Sequence, residues 1–247
     1  MRGSLSTQFA LFGSGAKENQ PFLSSGTWEI LMARTPEPQL KSEYMAKGLT
    51  TELDSKRGVY NPAIQWLSSA VMEWVSTNFF NDIPQCEDKY SNMILEGSRS
   101  PVGSNGVLFN ADFLLNQSNN GNGSISGLSI NITRGDIYRA ALEGLALQLH
   151  KSLSALSEVC NFEAESLIVV GGGSKNKLWN QIRADILGIP VFVLDQAEST
   201  VIGAAMYAFF GAGIYTTPSE AQDKMKPGYT IVNPGEYRDL YLKLNVK

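Results

Sequence analysis

The most constraining feature of the sequence is a run of apolar residues that breaks on three glycines. Ser166-Leu167-Ile168-Val169-Val170 leads directly into Gly171-Gly172-Gly173. A β-branched run without polar alternation reads as a strand buried on both faces. The glycines end it in a turn where the backbone can approach other groups closely. Leu178, Ile182 and Ile186 then share one face of a helix expected over 175–187, with Gly188 as its stop. Pro190-Val191-Phe192-Val193-Leu194 is a second buried strand. A further helix is expected over 199–210, with Val201, Ala204, Ala205 and Ala208 along it and Gly211 at its end. Strand, glycine turn, helix, strand and helix in this order specify an α/β domain.

The rest of the chain fits around that unit. Ile137, Ala141, Leu145, Leu149, Leu153 and Leu156 recur at steps of four and three, so the longest helix is expected over 134–158. Thr133-Arg134-Gly135-Asp136 opens it as a capping box with Asp in the Glu position. Near the N-terminus, Phe22-Leu23-Ser24 and an alternating stretch from Trp28 flank Ser25-Gly26-Thr27, which reads as a tight hairpin. Asn61 followed by Pro62 reads as an N-cap and first helical position, with a helix over 62–79 carrying Ile64, Leu67, Val71 and Trp74. Residues 36–57 are polar and irregular, residues 87–96 form a helix, residues 106–109 form a strand, and the Asn/Gly/Ser-rich 116–126 is an exposed loop tip. Short helices are expected near 218–225 and 235–246. The expected fold is a mixed sheet flanked by helices.

Composition removes several function classes. With 24 Asp and Glu against 20 Lys and Arg, the chain has no basic footprint for nucleic acid. No apolar run approaches the roughly 20 residues that span a bilayer, and no signal peptide opens the chain. Two cysteines, Cys86 and Cys160, are too few for a disulfide scaffold and read as reduced thiols of a cytoplasmic protein. The single histidine, His150, lies within the longest helical pattern, so neither a two-histidine zinc site nor a catalytic triad is indicated.

Three segments carry possible chemistry. Free amides at Gly171-Gly172-Gly173-Ser174, at a helix start, favour a phosphate, and Lys175 and Asn176 are placed to touch a nucleotide. A plain strand-to-helix turn accounts for the same glycines equally well. The spacing is neither the dinucleotide-binding fingerprint nor a Walker loop. The hydroxyls and amides of Ser24-Ser25-Gly26-Thr27 can also cradle a phosphate, or make an ordinary polar turn. The third segment is Gly123-Ser124-Ile125-Ser126-Gly127-Leu128, then seven residues, then Asp136-Ile137-Tyr138-Arg139-Ala140-Ala141-Leu142-Glu143.

Together these segments resemble the C-terminal half of the FGGY carbohydrate kinases. The third matches that family's second signature at every defined position. The glycine turn, continued by Asn176-Lys177-Leu178-Trp179-Asn180-Gln181-Ile182-Arg183-Ala184-Asp185, resembles its adenosine-binding segment. Glu198 with Gly203-Ala204-Ala205 resembles the segment that follows. Ser24 to Trp28 resembles its second phosphate hairpin, and Ile64-Gln65-Trp66-Leu67 resembles sugar and glycerol kinases. The similarity runs from Thr7 to about Pro227. The stretches at residues 7–13 and 23–31 are most similar to the branch that acts on L-fuculose.

The resemblance implies a ribonuclease-H-like, actin-like ATPase domain, with ATP and Mg²⁺ bound in a cleft between two such domains. It places Gly26 and Thr27 on the ATP phosphates and Gly172, Gly173 and Asn176 on the adenosine and α-phosphate. Asn61 and Gln65 fall where family members touch nucleotide. The partners implied are a ketose, ATP and an N-terminal kinase domain, and a homodimer through the face left by that domain is compatible. Other kinases of the family, acting on rhamnulose, xylulose or ribulose, and a non-catalytic actin-like nucleotide-binding module remain alternatives.

Two departures bear on activity. The aspartate-glycine-threonine phosphate loop of the family's other half does not occur. The family's catalytic aspartate stands immediately before the Thr7-Gln8 position, where this sequence has Ser6. Serine cannot accept a hydroxyl proton at neutral pH as a carboxylate does. Residues 1–6 are therefore expected to be a vector-derived start and residues 7–247 a C-terminal nucleotide-binding domain, inactive by itself.

Overall fold

A computed structural model describes residues 5–17, 20–46, 48–84, 88–113, 115–116, 119–120, 123–195 and 198–244. In chain order the first elements are α1 (Leu5–Gly13), β1 (Phe22–Ser25), β2 (Trp28–Met32), α2 (Ser42–Ala46), β3 (Thr50–Leu53) and β4 (Tyr60–Leu67). Next come α3 (Ser69–Phe79), α4 (Asp88–Arg99), β5 (Leu108–Asn110), β6 (Leu115–Asn116), β7 (Asn119–Asn120) and β8 (Ser124–Ser126). The last part contains α5 (Arg134–Cys160), β9 (Leu167–Val170), α6 (Lys177–Leu187), β10 (Val191–Leu194), α7 (Ser199–Gly211), α8 (Pro218–Met225), β11 (Tyr229–Val232) and α9 (Arg238–Leu244).

Seven strands form one mixed sheet in the order β11-β10-β9-β1-β2-β4-β3. β1, β9 and β10 run parallel, and the flanking pairs are antiparallel. Because side chains alternate across a strand, the central strands feed two cores. Leu23, Leu31, Trp66, Leu167, Val169 and Val191 pack with Leu142, Leu145 and Leu149 of α5 and Ile182 of α6. Phe22, Met32, Ala63, Ile168 and Val170 pack on the other face with Ala10 and Leu11 of α1. The expected α/β sheet flanked by helices is present, and the unbroken apolar character of β9 and β10 follows from helices on both faces.

The capping box of α5 forms as read. The Thr133 hydroxyl accepts from the Asp136 amide at 3.3 Å, and the Asp136 carboxylate accepts from the Thr133 amide at 2.8 Å. Ser100 Oγ and Asn105 Nδ2 also donate to Asp136, at 2.6 and 2.9 Å. Burial pushes this carboxyl up, but the bonds from Ser100, Thr133 and Asn105 outweigh it and hold its pKa below the ordinary 3.8. Asp54 is also held below 3.8, where burial is outweighed chiefly by its bidentate pair with Arg34, both bonds 2.8 Å. A folded-state pKa below the unfolded one stabilises the fold above the unfolded value and is lost as pH falls through the folded value. Stability should therefore hold steady down to about pH 5 and fall below it. Urea midpoints across that range test this, and Asp136→Asn should flatten part of the decline.

Four sequence expectations are corrected. Residues 60–67 form strand β4 rather than the start of a helix, and α3 begins only at Ser69. Asn61 is thus not an N-cap. Pro62 tolerates a strand because its fixed φ is compatible with extended backbone, and its carbonyl accepts from the Ala33 amide at 3.1 Å. Burial on both sides of β4 (Pro62, Ala63 and Trp66 are all buried) masks the two-residue alternation and imitates helical spacing. The segment read as irregular contains α2 and β3, the latter built as an outer strand on β4. Ser104–Gly106 is a 3₁₀ turn, so the strand expected at 106–109 is β5, beginning at Leu108. The loop tip expected at 116–126 includes β8, paired with β5, within its described part. Cys86 lies outside the described residues, whereas Cys160 is a free thiol that burial pushes up to about 11.

Candidate functional site

β1 and β9 end side by side, Ser24 opposite Val170, and both turns that follow lie at this carboxyl edge of the sheet. In open α/β sheets that edge is where ligands bind. After β9 the chain enters Gly171 at φ +89, where a Cβ would stand 2.6 Å from the Ser25 carbonyl. Gly172–Lys175 forms a 3₁₀ turn, closed by the Ser174 amide and hydroxyl donating to the Gly171 carbonyl at 3.1 and 2.7 Å. A Cβ on Gly173 would stand 2.1 Å from Ser25 Oγ, so this glycine is needed for packing. Gly172 differs, because a Cβ there meets nothing within 4 Å. Its backbone faces open space.

That space is a cavity of about 450 Å³, between the glycine turn and helices α3, α4 and α5. Gly172, Gly173, Lys175 and Asn176 line one side, and Met72, Tyr90, Ile94, Tyr138 and Trp179 supply apolar wall. The volume falls in the range of small-molecule sites, as does the mixture of apolar wall with few polar groups. Asn176 is fixed at both ends of its amide. Its oxygen caps α6 by accepting from the Trp179 amide at 3.1 Å, and its nitrogen donates to Tyr138 Oη at 2.9 Å. Burial outweighs that bond and holds the Tyr138 phenol well above its ordinary range. At the rim, Tyr90 donates to Glu73 at 2.5 Å, and this bond, with burial, pushes the phenol up to about 12. Both tyrosines stay neutral donors at physiological pH.

The hairpin turn stands next to this cavity. Ser69, which lines it, donates its amide to the Gly26 carbonyl at 3.2 Å, and the Ser68 amide donates to the Thr27 carbonyl at 3.1 Å. The start of α3 is thus used to hold the turn. Thr27 is exposed, and a Cβ on Gly26 would meet only the Trp28 carbonyl, at 3.7 Å.

The structure therefore brings Gly172, Gly173 and Asn176 together in the cavity, with Gly26 and Thr27 at its side. It does not bring Asn61 and Gln65 to the cavity. Gln65 is exposed opposite Ile30, on the α1 side of the sheet by strand alternation from Ala63. Asn61 is buried further back along β4, with its amide donating to Asp54 at 2.9 Å. Ser6 lies in the first turn of α1, exposed, and its carbonyl accepts from Thr200 Oγ1 of α7 at 3.3 Å. The sequence reading did not single out Met72, Tyr90 and Ile94. Their spacing along α3 and α4 is that of ordinary buried helix faces, so only the tertiary fold reveals them. Tyr138 and Trp179 did lie inside the quoted motifs. A second concavity, about 530 Å³, lined by Gln20, Glu163, Ser166 and Tyr229 among others, opens at the amino edge of β1 and β9, away from these turns.

Residues 22–212 match the C-terminal domain of the FGGY family of carbohydrate kinases. The chain belongs to this family. It is 51% identical over 229 residues to L-fuculokinase of Haemophilus influenzae, covering 92% of this chain and 48% of that protein. It is 46% identical over 230 residues to L-fuculokinase of Escherichia coli K12, covering 92% and 47%. This FGGY chain thus spans about half the length of the curated relatives it matches. Among solved structures, xylulose kinase from Rhodospirillum rubrum superposes with a TM-score of 0.79 at 21% identity, over 96% of this chain and 47% of that one. Glycerol kinase of Plasmodium falciparum, solved with ADP, gives 0.78 at 21% identity, over 98% and 48%. These two likenesses establish the shared fold.

Proposed function

We propose that this chain supplies the nucleotide-binding half of an ATP-dependent kinase that phosphorylates a hydroxyl of L-fuculose or a closely related ketose. The observation that carries the reading is the cavity at the carboxyl edge of β1 and β9, open at Gly172 and tightly packed at Gly173. The residues present suit a nucleoside phosphate. Apolar and aromatic walls accept a base, and glycine backbone free of Cβ admits a phosphate. Gly172, Gly173 and Asn176 would hold the nucleoside end, and Gly26 and Thr27 the outer phosphates. Mg²⁺ would be carried largely by those phosphates and by water; bound there, MgATP supplies the transferred phosphoryl group.

The choice of L-fuculose rests on the fuculokinase relatives, whose identity to this chain is well above that of the 27% identical xylulose kinase of Staphylococcus epidermidis. The chain alone should not turn over. Ser6 stands where the resembled family carries its carboxylate, and a hydroxyl cannot take the sugar proton. A cytoplasmic setting and a partner N-terminal domain complete the proposal.

The test joins residues 7–247 to the N-terminal part of the Haemophilus influenzae relative in place of that protein's own second half. The hybrid is expected to phosphorylate L-fuculose with MgATP, while the present chain alone gives no product. A soluble hybrid that is inactive towards L-fuculose, rhamnulose, xylulose and ribulose alike would contradict the reading.

A further inference from the structure

We propose that the buried Arg183–Glu29 pair is a positioning clamp that sets nucleotide affinity without touching the nucleotide. The inference rests on the reading of the glycine-turn cavity as the nucleotide site. Arg183 of α6 and Glu29 of β2 both have no exposed side-chain surface, and neither lines the cavity. Both terminal nitrogens and the guanidinium carbon instead reach Glu29 and the groups that hold the turns and wall beside it. Nη2 donates to Glu29 Oε1 and, at 2.9 Å, to Ser25 Oγ at the end of β1. Ser25 Oγ in turn donates to Glu29 Oε1 at 2.9 Å. Nη1 donates to Asn180 Oδ1 at 3.1 Å, and Asn180 Nδ2 donates to the Ser174 carbonyl of the 3₁₀ turn at 2.7 Å. The guanidinium carbon lies 3.8 Å from the ring centroid of Trp179, which forms part of the cavity wall.

Ser25 makes the arrangement directional. Its hydroxyl, held by Glu29 and Arg183, occupies the place into which a Gly173 side chain would project, and its carbonyl does the same for Gly171. The separation of the hairpin turn from the glycine turn is thereby set by one buried cluster. That cluster is poorly satisfied as a stabilising device. Glu29 Oε2, Arg183 Nε and Trp179 Nε1 have no hydrogen-bond partner among the described residues. A buried pair costs desolvation, and a well-packed apolar replacement is often as stable. Positioning explains what net stability does not.

The decisive variant is Glu29→Leu/Arg183→Met, studied by melting and by calorimetric titration with MgADP beside the parent chain. The melting temperature should change little, while affinity for MgADP should fall about tenfold as the two turns lose their spacing. Parent-like affinity in the double variant would overturn the clamp and leave the nucleotide reading standing. A parent chain that does not bind MgADP would remove that reading, and the clamp with it. If the double variant does not fold, Ser25→Ala decides, since it keeps the ion pair and removes only the bridge. Weaker MgADP binding at an unchanged melting temperature supports the clamp, and unchanged binding overturns it.

Discussion

Replacing Glu143 with Ala should lower the melting temperature by about 10 °C, from a loss of roughly 3–5 kcal/mol. Glu143 lies on α5 and is nearly buried, with Arg139 one turn before it. Its carboxylate accepts from Arg139 Nε at 2.8 Å, Tyr241 Oη at 2.7 Å, Ser104 Oγ at 2.9 Å and the Gly103 amide at 3.1 Å. Arg139 also donates to Tyr241 Oη at 3.0 Å and the Ser100 carbonyl at 3.1 Å. One carboxylate therefore ties α9 and the 103–106 turn to the longest helix. Removing it leaves Arg139 as an uncompensated buried charge, the situation in which loss of one partner costs most. In the parent, burial pulls the Arg139 pKa down, but its neighbours Tyr241 and Glu143 outweigh it and hold the guanidinium above its ordinary range. With Glu143 gone, arginine still keeps its proton in a protein and cannot escape by losing it. The paired substitution Arg139→Met/Glu143→Leu should recover most of the loss. A single Glu143→Ala variant that melts within a degree or two of the parent would show that the cluster is not a structural keystone.

Gly203→Ala should be nearly as damaging, at about 3 kcal/mol. A Cβ at Gly203 would stand 2.0 Å from the Phe9 carbonyl and 3.0 Å from the Gly13 amide, and a Cβ at Gly13 would stand 2.2 Å from the Ser199 carbonyl. The contacted atoms are backbone, so α1 and α7 must move apart as units. An internal control is Gly211, at the end of the same helix, where a Cβ meets nothing within 4 Å. Gly211→Ala should be neutral or slightly stabilising. The consequence for function is that α1 carries Ser6 at its start. Whatever residue stands there is positioned by the Gly13–Gly203 contact, which gives the Gly203-Ala204-Ala205 stretch a packing reason.

The legibility of the fold differs from element to element. β9, the glycine turn, α6 and β10 could be read in order because each carries a signal that tertiary context does not cancel: a continuous apolar run, consecutive glycines, one apolar helix face and a stop. The start of α6 shifts to Lys177 because Asn176 supplies the cap and the preceding residues tighten into a 3₁₀ turn. β4 could not be read, because a strand covered on both faces by protein loses its alternation, and Asn61-Pro62 is as good a helix opening as it is a strand dipeptide. β11 escaped notice for the opposite reason, being an edge strand, half exposed and only four residues long.

The site divides along the same line. Gly172, Gly173 and Asn176 are local in sequence and were legible as a unit. The tertiary fold alone shows that Gly173 is tight and Gly172 open, since the difference is made by Ser25, about 150 residues away. The same holds for the aromatic wall, assembled from three helices whose inward residues look like core. Asn61 and Gln65 were placed near nucleotide by similarity, and the strand geometry sets them on the other side of the sheet from the cavity.

The opening at Gly172 is proposed to admit a nucleotide. The most direct measurement is a calorimetric titration of this chain with MgADP, repeated on Gly172→Val. Saturable one-site binding by the parent is expected, with a loss of at least about tenfold in affinity in the variant at an unchanged melting temperature, because the side chain is added to a residue that lines the cavity and no protein atom lies within 4 Å of its Cβ. Equal affinity in parent and variant, or no binding by the parent at millimolar MgADP, would contradict it.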